Sequence, residues 1–195
     1  CRQLKGGGME IYMRVIAGKA KRLQLKTPQG METRPTTDRI KETLFNMIQD
    51  EIYDTCFLDL FSGSGGIGIE ALSRGARKAC FVEQSKAAVD VIKENIRYTH
   101  FEEQAEVLHC TAAAALKMLQ GKDCFDIVFM DPPYGRGLET EILKNPVFYQ
   151  VLQDKALIII EADLDTKLSE VELSGFRILK EKIYKTNKHI FLEKI

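Results

Sequence analysis

Apolar and polar positions along this chain follow two periods. Residues 56–61, 78–83, 106–110, 125–131 and 156–161 are apolar runs of strand length. Between them, residues 67–74, 86–98, 111–119 and 138–151 read as helices, and in the second of these Ala88, Val91, Ile92 and Ile96 form the expected buried face. Strands alternating with helices predict a parallel sheet covered on both faces, an α/β fold. The end of the chain changes character. Residues 176–184 and 189–194 are extended runs joined by 185–188 with no helix between them, which predicts a hairpin and an antiparallel last strand. Near the start, residues 13–28 alternate around Gly18 and predict a small β-hairpin. A helix follows, capped by Thr36, Thr37 or Asp38, with Ile40, Leu44, Phe45 and Ile48 on one face. Residues 1–12 read as a flexible leader, 13–36 as a hairpin extension and 37–195 as one domain.

Composition narrows the partners. The net charge of zero means that a polyanion has to meet a local patch rather than a global field. One such patch exists: between Met13 and Gly30 stand Arg14, Lys19, Lys21, Arg22 and Lys26, with no acidic residue. This is the pattern of a phosphate-contacting arm, against the plainer reading of an edge strand kept in solution by its charges. Arg34 and Arg39 flank the helix cap, which the capping role leaves unexplained. No apolar run approaches the ~20 residues of a membrane span, so no membrane partner is expected. Five cysteines without a Cys-x-x-Cys pair, and His100, His109 and His189 scattered along the chain, argue against a metal site. Buried, reduced thiols in a cytoplasmic protein are the expectation.

The chemistry concentrates in two stretches. In the first, Ile127, Val128, Phe129 and Met130 form a strand that Pro132 and Pro133 stop, since neither has an amide hydrogen for the ladder. Asp131 and Tyr134 are left at the strand's carboxyl end, where open α/β sheets place ligands. A carboxylate, a stiff backbone with free carbonyls and an aromatic face suit a planar ring bearing an exocyclic amino group. In the second, Gly63, Gly65 and Gly68 match G-x-G-x-x-G between a strand and a helix, and Glu83 closes the next strand at the spacing of a ribose-binding acid. A dinucleotide oxidoreductase is one reading of this turn. Asp59, inside the strand just before the glycines, disfavours a pyrophosphate there and favours a cationic ligand. S-adenosylmethionine, with its sulfonium and ammonium groups, fits better: Asp59 beside the charges, Glu83 on the ribose hydroxyls, the glycines admitting the methionine half.

Asp59-Leu-Phe-Ser-Gly-Ser-Gly65 together with Asp131-Pro-Pro-Tyr134 resembles the class I methyltransferases that act on exocyclic amino groups. With Arg14-Val-Ile-Ala-Gly-Lys19, Arg34-Pro-Thr-Thr-Asp-Arg39 and Glu42-Thr-Leu-Phe45 added, the chain resembles the bacterial 16S ribosomal RNA guanine-N2 methyltransferase family from Met13 onward. The resemblance implies a Rossmann-like sheet of seven strands with a reversed last strand, an N-terminal β-hairpin, S-adenosylmethionine as cofactor and no metal. It implies 16S ribosomal RNA as substrate, naked or within a small-subunit assembly particle. Asp131, Pro132 and Tyr134 would be catalytic. Asp59, Phe61, Gly63, Gly65, Glu83, Gln84, Thr111 and Ala112 would hold the cofactor. Pro133, Arg14, Lys19, Lys21, Arg22, Arg34 and Arg39 would meet the RNA. One departure stands out: where many relatives end the third core strand with an Asp for the adenine amino group, this chain reads Cys110-Thr-Ala-Ala113, so backbone or the Thr111 hydroxyl would serve. Adenine-N6 methylation of DNA, methylation of a protein amide, and a non-catalytic RNA-binding module are the rival readings.

Overall fold

A computed structural model describes residues 13–28, 38–122, 124–168 and 174–195. The expected leader, Arg34 and the candidate caps Thr36 and Thr37 lie outside the described residues. Two short strands, β1 (Met13–Arg14) and β2 (Gln24–Leu25), pair antiparallel as the predicted hairpin. Helix α1 (Asp38–Met47) precedes the alternating core: β3 (Cys56–Asp59), α2 (Gly66–Ser73), β4 (Lys78–Glu83), α3 (Lys86–Thr99), β5 (Ala105–His109), α4 (Ala112–Leu119) and β6 (Phe125–Met130). Helices α5 (Leu138–Leu143) and α6 (Pro146–Gln150) lead into β7 (Leu152–Ala162), and β8 (Phe176–Ile183) and β9 (Lys188–Lys194) close the chain.

The seven-stranded sheet has the order β5-β4-β3-β6-β7-β9-β8. β3 pairs parallel with both β4 and β6, and β7 continues the parallel set, whereas β9 is antiparallel to both β7 and β8. From β3 the chain builds outward to β4 and β5, then returns to the other side of β3 for β6 and β7. Strand order therefore reverses between β3 and β6, and this switch point is where an open α/β sheet leaves a crevice outside its carboxyl ends.

Side-chain alternation splits the core between the two faces of the sheet. Leu58, Cys80, Val128, Met130, Ile158, Ile160 and Leu192 pack on the α4 and α6 side. Phe57, Phe81, Ile127, Phe129, Ile159 and Phe191 pack on the α1–α3 side. Each fully buried Phe or Ile here contributes about 1.5–3 kcal/mol. All eight residues of α2 are buried, because the hairpin covers the face that the sheet does not. The hairpin is fastened by polar contacts as well. Glu70 of α2 accepts from the amides of Ile16 and Ala17, and the Ser73 hydroxyl accepts from the Ala20 amide. Beneath it, the fully buried Lys41 donates to the Arg14 carbonyl and lies 3.6 Å from Glu70, which also pairs with Arg74 at 2.8 Å. β1 and β2 thus form their own two-stranded sheet, docked on α2.

Two sequence expectations need correction. In α3 the buried face is Ala88, Val89, Ile92, Asn95, Ile96 and Thr99; Val91 sits half-buried at its margin, because the stripe centres on Ile92 and Ile96 and turns Val89 inward instead. Of the cysteines, Cys56 and Cys80 are buried thiols, but Cys110 is half-buried and Cys124, just ahead of β6, is exposed.

Candidate active site

Four neighbouring parallel strands carry carboxylates at the same rim of the sheet: Glu83 ends β4, Asp59 ends β3, Asp131 follows β6 and Glu161 stands near the end of β7. Parallel register makes this unavoidable, since Asp59 lies opposite Phe129 and Met130 lies opposite Ile160. They do not form a metal cage, as no metal-holding group of three or more His, Cys, Asp or Glu exists among the described residues.

The turn after β3 is built between its neighbours. The Leu60 amide bonds to the Phe129 carbonyl, the Ser62 amide to the Val82 carbonyl, and the Ser62 hydroxyl to the Asp59 carbonyl. Gly63 has φ +53°, and a side chain there would meet nothing within 4 Å, so its backbone faces open space. Gly68 serves packing: a Cβ would stand 2.3 Å from Cε1 of Phe81. Glu83 ties the turn to α3, its Oε2 accepting from the Gly63 amide at 3.0 Å and its Oε1 from the Ser85 amide at 2.7 Å. Asn95 ties it to the arm, donating to the Ser64 carbonyl while exchanging two bonds with the backbone of Lys26.

Asp59 is only 1% exposed, and its hydrogen-bond partners are the Gly68 and Phe61 amides, neither of which carries a charge. Burial pushes its carboxyl up to about 7, with Glu83 adding and the two amides opposing. Asp131 is raised well above the usual carboxylate range by burial, then by Glu161 and Asp59. A buried carboxylate such as Asp59, with no cation paired to it among the described residues, is a group that a positively charged ligand would complete. The residues present thus fit S-adenosylmethionine.

After β6, Asp131 is half-buried, Pro132 buried, and Pro133 and Tyr134 exposed. Tyr134 keeps 48% of its surface open, while its hydroxyl donates to Glu161 Oε1 at 3.4 Å. Its phenol is held well above the ordinary range by burial and by the charges of Glu161 and Asp131. The glycine turn and the proline loop therefore share one rim on adjacent strands.

The other expected residues fall as follows. Phe61 is half-buried in the turn, and Gln84 is exposed after β4 with its carbonyl 3.1 Å from His109 Nε2. The Thr111 hydroxyl caps α4, accepting from the Ala114 amide, and Ala112 is buried in the first turn of that helix. In the arm, Arg14 is paired with Asp38 at 2.8 Å and Lys26 with Glu94. Lys19, Lys21 and Arg22 are exposed and form no ion pair among the described residues, and Arg39 is exposed on α1. Sequence reading missed Glu161, Asn95, Asn187 and His189. For Glu161 a signal was available: an apolar strand closing on a carboxylate, as with Asp59, Glu83 and Asp131. Two surface depressions, one lined by Leu143, Asn145, Tyr149 and Phe176 and the other by Asp154, Lys155 and Lys194, contain none of these residues.

Comparison with known proteins agrees with this geometry. Residues 13–193 match the family described as Conserved hypothetical protein 95. Ribosomal RNA small subunit methyltransferase D of Haemophilus influenzae is 38% identical over 173 residues, covering 87% of this chain and 88% of that protein. The protein of the same name from Escherichia coli K12 is 36% identical over 171 residues, covering 88% and 84%. Among solved structures, the Escherichia coli protein yhhF superposes with a TM-score of 0.74 at 30% identity, covering 94% of this chain and 98% of that one. A hypothetical protein of Thermus thermophilus gives a TM-score of 0.76 at 28% identity, covering 92% and 98%. This chain belongs to the ribosomal RNA small subunit methyltransferase D family.

Proposed function

We propose that the protein transfers a methyl group from S-adenosylmethionine to the exocyclic N2 of a guanine in 16S ribosomal RNA. The observation that carries this reading is the placement of the glycine turn and of Asp131-Pro-Pro-Tyr134 after adjacent strands at the switch point. S-adenosylmethionine, when bound, supplies a methyl group already activated on a sulfonium. Asp59 offers it a buried negative charge. Glu83 uses part of its acceptor capacity on Gly63 and Ser85, and a carboxylate has about four lone-pair sites, so capacity remains for the ribose hydroxyls.

On the substrate side, Asp131 and the Pro132 carbonyl accept the two hydrogens of the guanine amino group. That pairing pyramidalises the nitrogen and aims its lone pair, so alignment is the main contribution of the chain, worth up to ~7–11 kcal/mol in the best cases. Positive charge develops on the nitrogen as the bond forms, and Asp131 stands ready to stabilise it. Its raised proton affinity suits it to receive the proton afterwards. Stacking on the open face of Tyr134 contributes ~1–3 kcal/mol, against a cost of a few kcal/mol for turning the base out of a paired region. Lys19, Lys21 and Arg22 hold the RNA backbone through phosphate contacts, which position without specifying sequence.

The test is to incubate the protein with methyl-labelled cofactor and either 16S RNA or small-subunit particles, then map the label and digest to nucleosides. N2-methylguanosine at one position is the expected product. Label on adenine N6, or none in any RNA, overturns the reading.

A further inference from the structure

Glu161 is the member of the carboxylate row to which the proposed reaction gives no task. It is 6% exposed, on β7, and its register partner on β9 is His189. His189 Nε2 lies 3.2 Å from Glu161 Oε2, and His189 Nδ1 lies 3.2 Å from the Tyr184 hydroxyl. An ionised carboxylate only accepts, so Nε2 carries the proton, and in the neutral ring Nδ1 then accepts from Tyr184. Asn187 Nδ2 donates to Glu161 Oε1, which leaves Asn187 Oδ1 buried without a donor. The amide thus faces the carboxylate even though its own acceptor goes unmet. The His189 ring is fixed in turn by edge contacts with Phe129 and Tyr184, centroids 6.1 and 4.9 Å away.

All of these supports come from β6, β7, β9 and the turn before β9. Tyr134 lies on the loop that follows β6, and its hydroxyl donates to Glu161 Oε1 and also bonds to the Asn187 side chain. We propose that Glu161, braced by His189 and Asn187, is a positioning residue that locks the Tyr134 ring in the orientation in which it stacks on the target base. The proposal rests on the methyl-transfer reading and adds a role for a carboxylate at the rim beside Asp131. A ring tethered at its hydroxyl cannot swing away from the rim, so the base finds its platform already in place. Glu161 beside Asp131 has a second effect, since it raises the affinity of the Asp131 carboxylate for the proton released after transfer.

The experiment is a double-mutant cycle with Glu161→Gln and Tyr134→Phe, reading single-turnover methylation of the RNA, kcat/KM for RNA and KM for S-adenosylmethionine. Each single variant should lose about tenfold in kcat/KM for RNA, with KM for the cofactor unchanged. The double variant should be no worse than the worse single, because Glu161→Gln weakens, and Tyr134→Phe removes, the same contact. The acid limb of the pH–rate profile should move to lower pH in Glu161→Gln and stay in place in Tyr134→Phe. Losses that multiply in the double variant overturn the proposal, as does an unmoved acid limb. Tyr134→Phe alters an exposed hydroxyl and keeps the ring, so full activity in that variant alone also overturns it, whether or not Glu161→Gln folds. A wild-type protein that methylates no guanine is the separate failure of the underlying reading.

Discussion

Replacing Asp59 with asparagine should make the ligand-free protein more stable while weakening its grip on a cationic ligand. Asp59 is buried between uncharged partners, and its carboxyl is raised from 3.8 to about 7. The sign follows from proton linkage. Below pH ~4 the group is protonated whether the chain is folded or not, and it costs nothing. As pH rises toward 7 the unfolded chain sheds the proton but the folded one keeps it, so stability falls, and above 7 the loss is constant. A rise of about three units corresponds to about 4 kcal/mol, and asparagine, neutral at every pH, removes that cost. Part of the gain is offset because the asparagine oxygen replaces two carboxylate oxygens facing the Gly68 and Phe61 amides. Urea unfolding of both proteins without ligand should show a stability difference about 2 kcal/mol larger at pH 8 than at pH 5.5. Calorimetric titration with S-adenosylmethionine should show weaker binding by Asp59→Asn at pH 8. In the wild type, affinity should drop roughly tenfold per unit below pH 7, as protonation removes the partner of the ligand's charge. A stability difference independent of pH, or a variant that binds the cofactor as well as the wild type, refutes the reasoning.

Asp131→Ala should abolish methyl transfer while cofactor binding largely survives; equal loss of both, by rate assay and calorimetry, moves Asp131 to the cofactor's side. Neutralising Lys19, Lys21 and Arg22 together should weaken RNA binding uniformly across sequences and flatten the log K against log salt slope by about 3; an unchanged slope, measured by filter binding, makes them merely solvated charges. Gly68→Ala should destabilise the fold: overpacking against the buried Phe81 ring costs ~1–3 kcal/mol, more than the ~1 kcal/mol of helix propensity gained, as urea unfolding can measure. Lys41→Met removes one of the two cations paired with Glu70 and should cost up to ~3–5 kcal/mol, with protease cleavage appearing first in the hairpin that Lys41 holds down.

The alternating pattern carried the fold because each strand and helix announces itself within a few residues. β4 spans Lys78–Glu83, the predicted run, and Asp131 and the three glycines are legible because prolines stop a strand and glycines mark a tight turn or close packing. What stayed hidden is polar and long-range. Asn95 reads as a solvent-facing residue until Lys26, 69 positions away, supplies both halves of its pairing. Lys41 sits between apolar Ile40 and Leu44 on a helix, where a lysine is ordinarily exposed, and only the docked hairpin explains its burial. Glu161 and His189 meet through a register that depends on β9 inserting between β7 and β8, which local pattern cannot specify.

The position of Asn95 has a mechanical consequence. One short amide on α3 grips the segment after β2 by both of its backbone groups and holds the Ser64 carbonyl within the glycine turn. A polyanion pulling on the basic finger therefore tugs on the same knot that shapes the cradle of the small ligand, and slack in one is felt in the other.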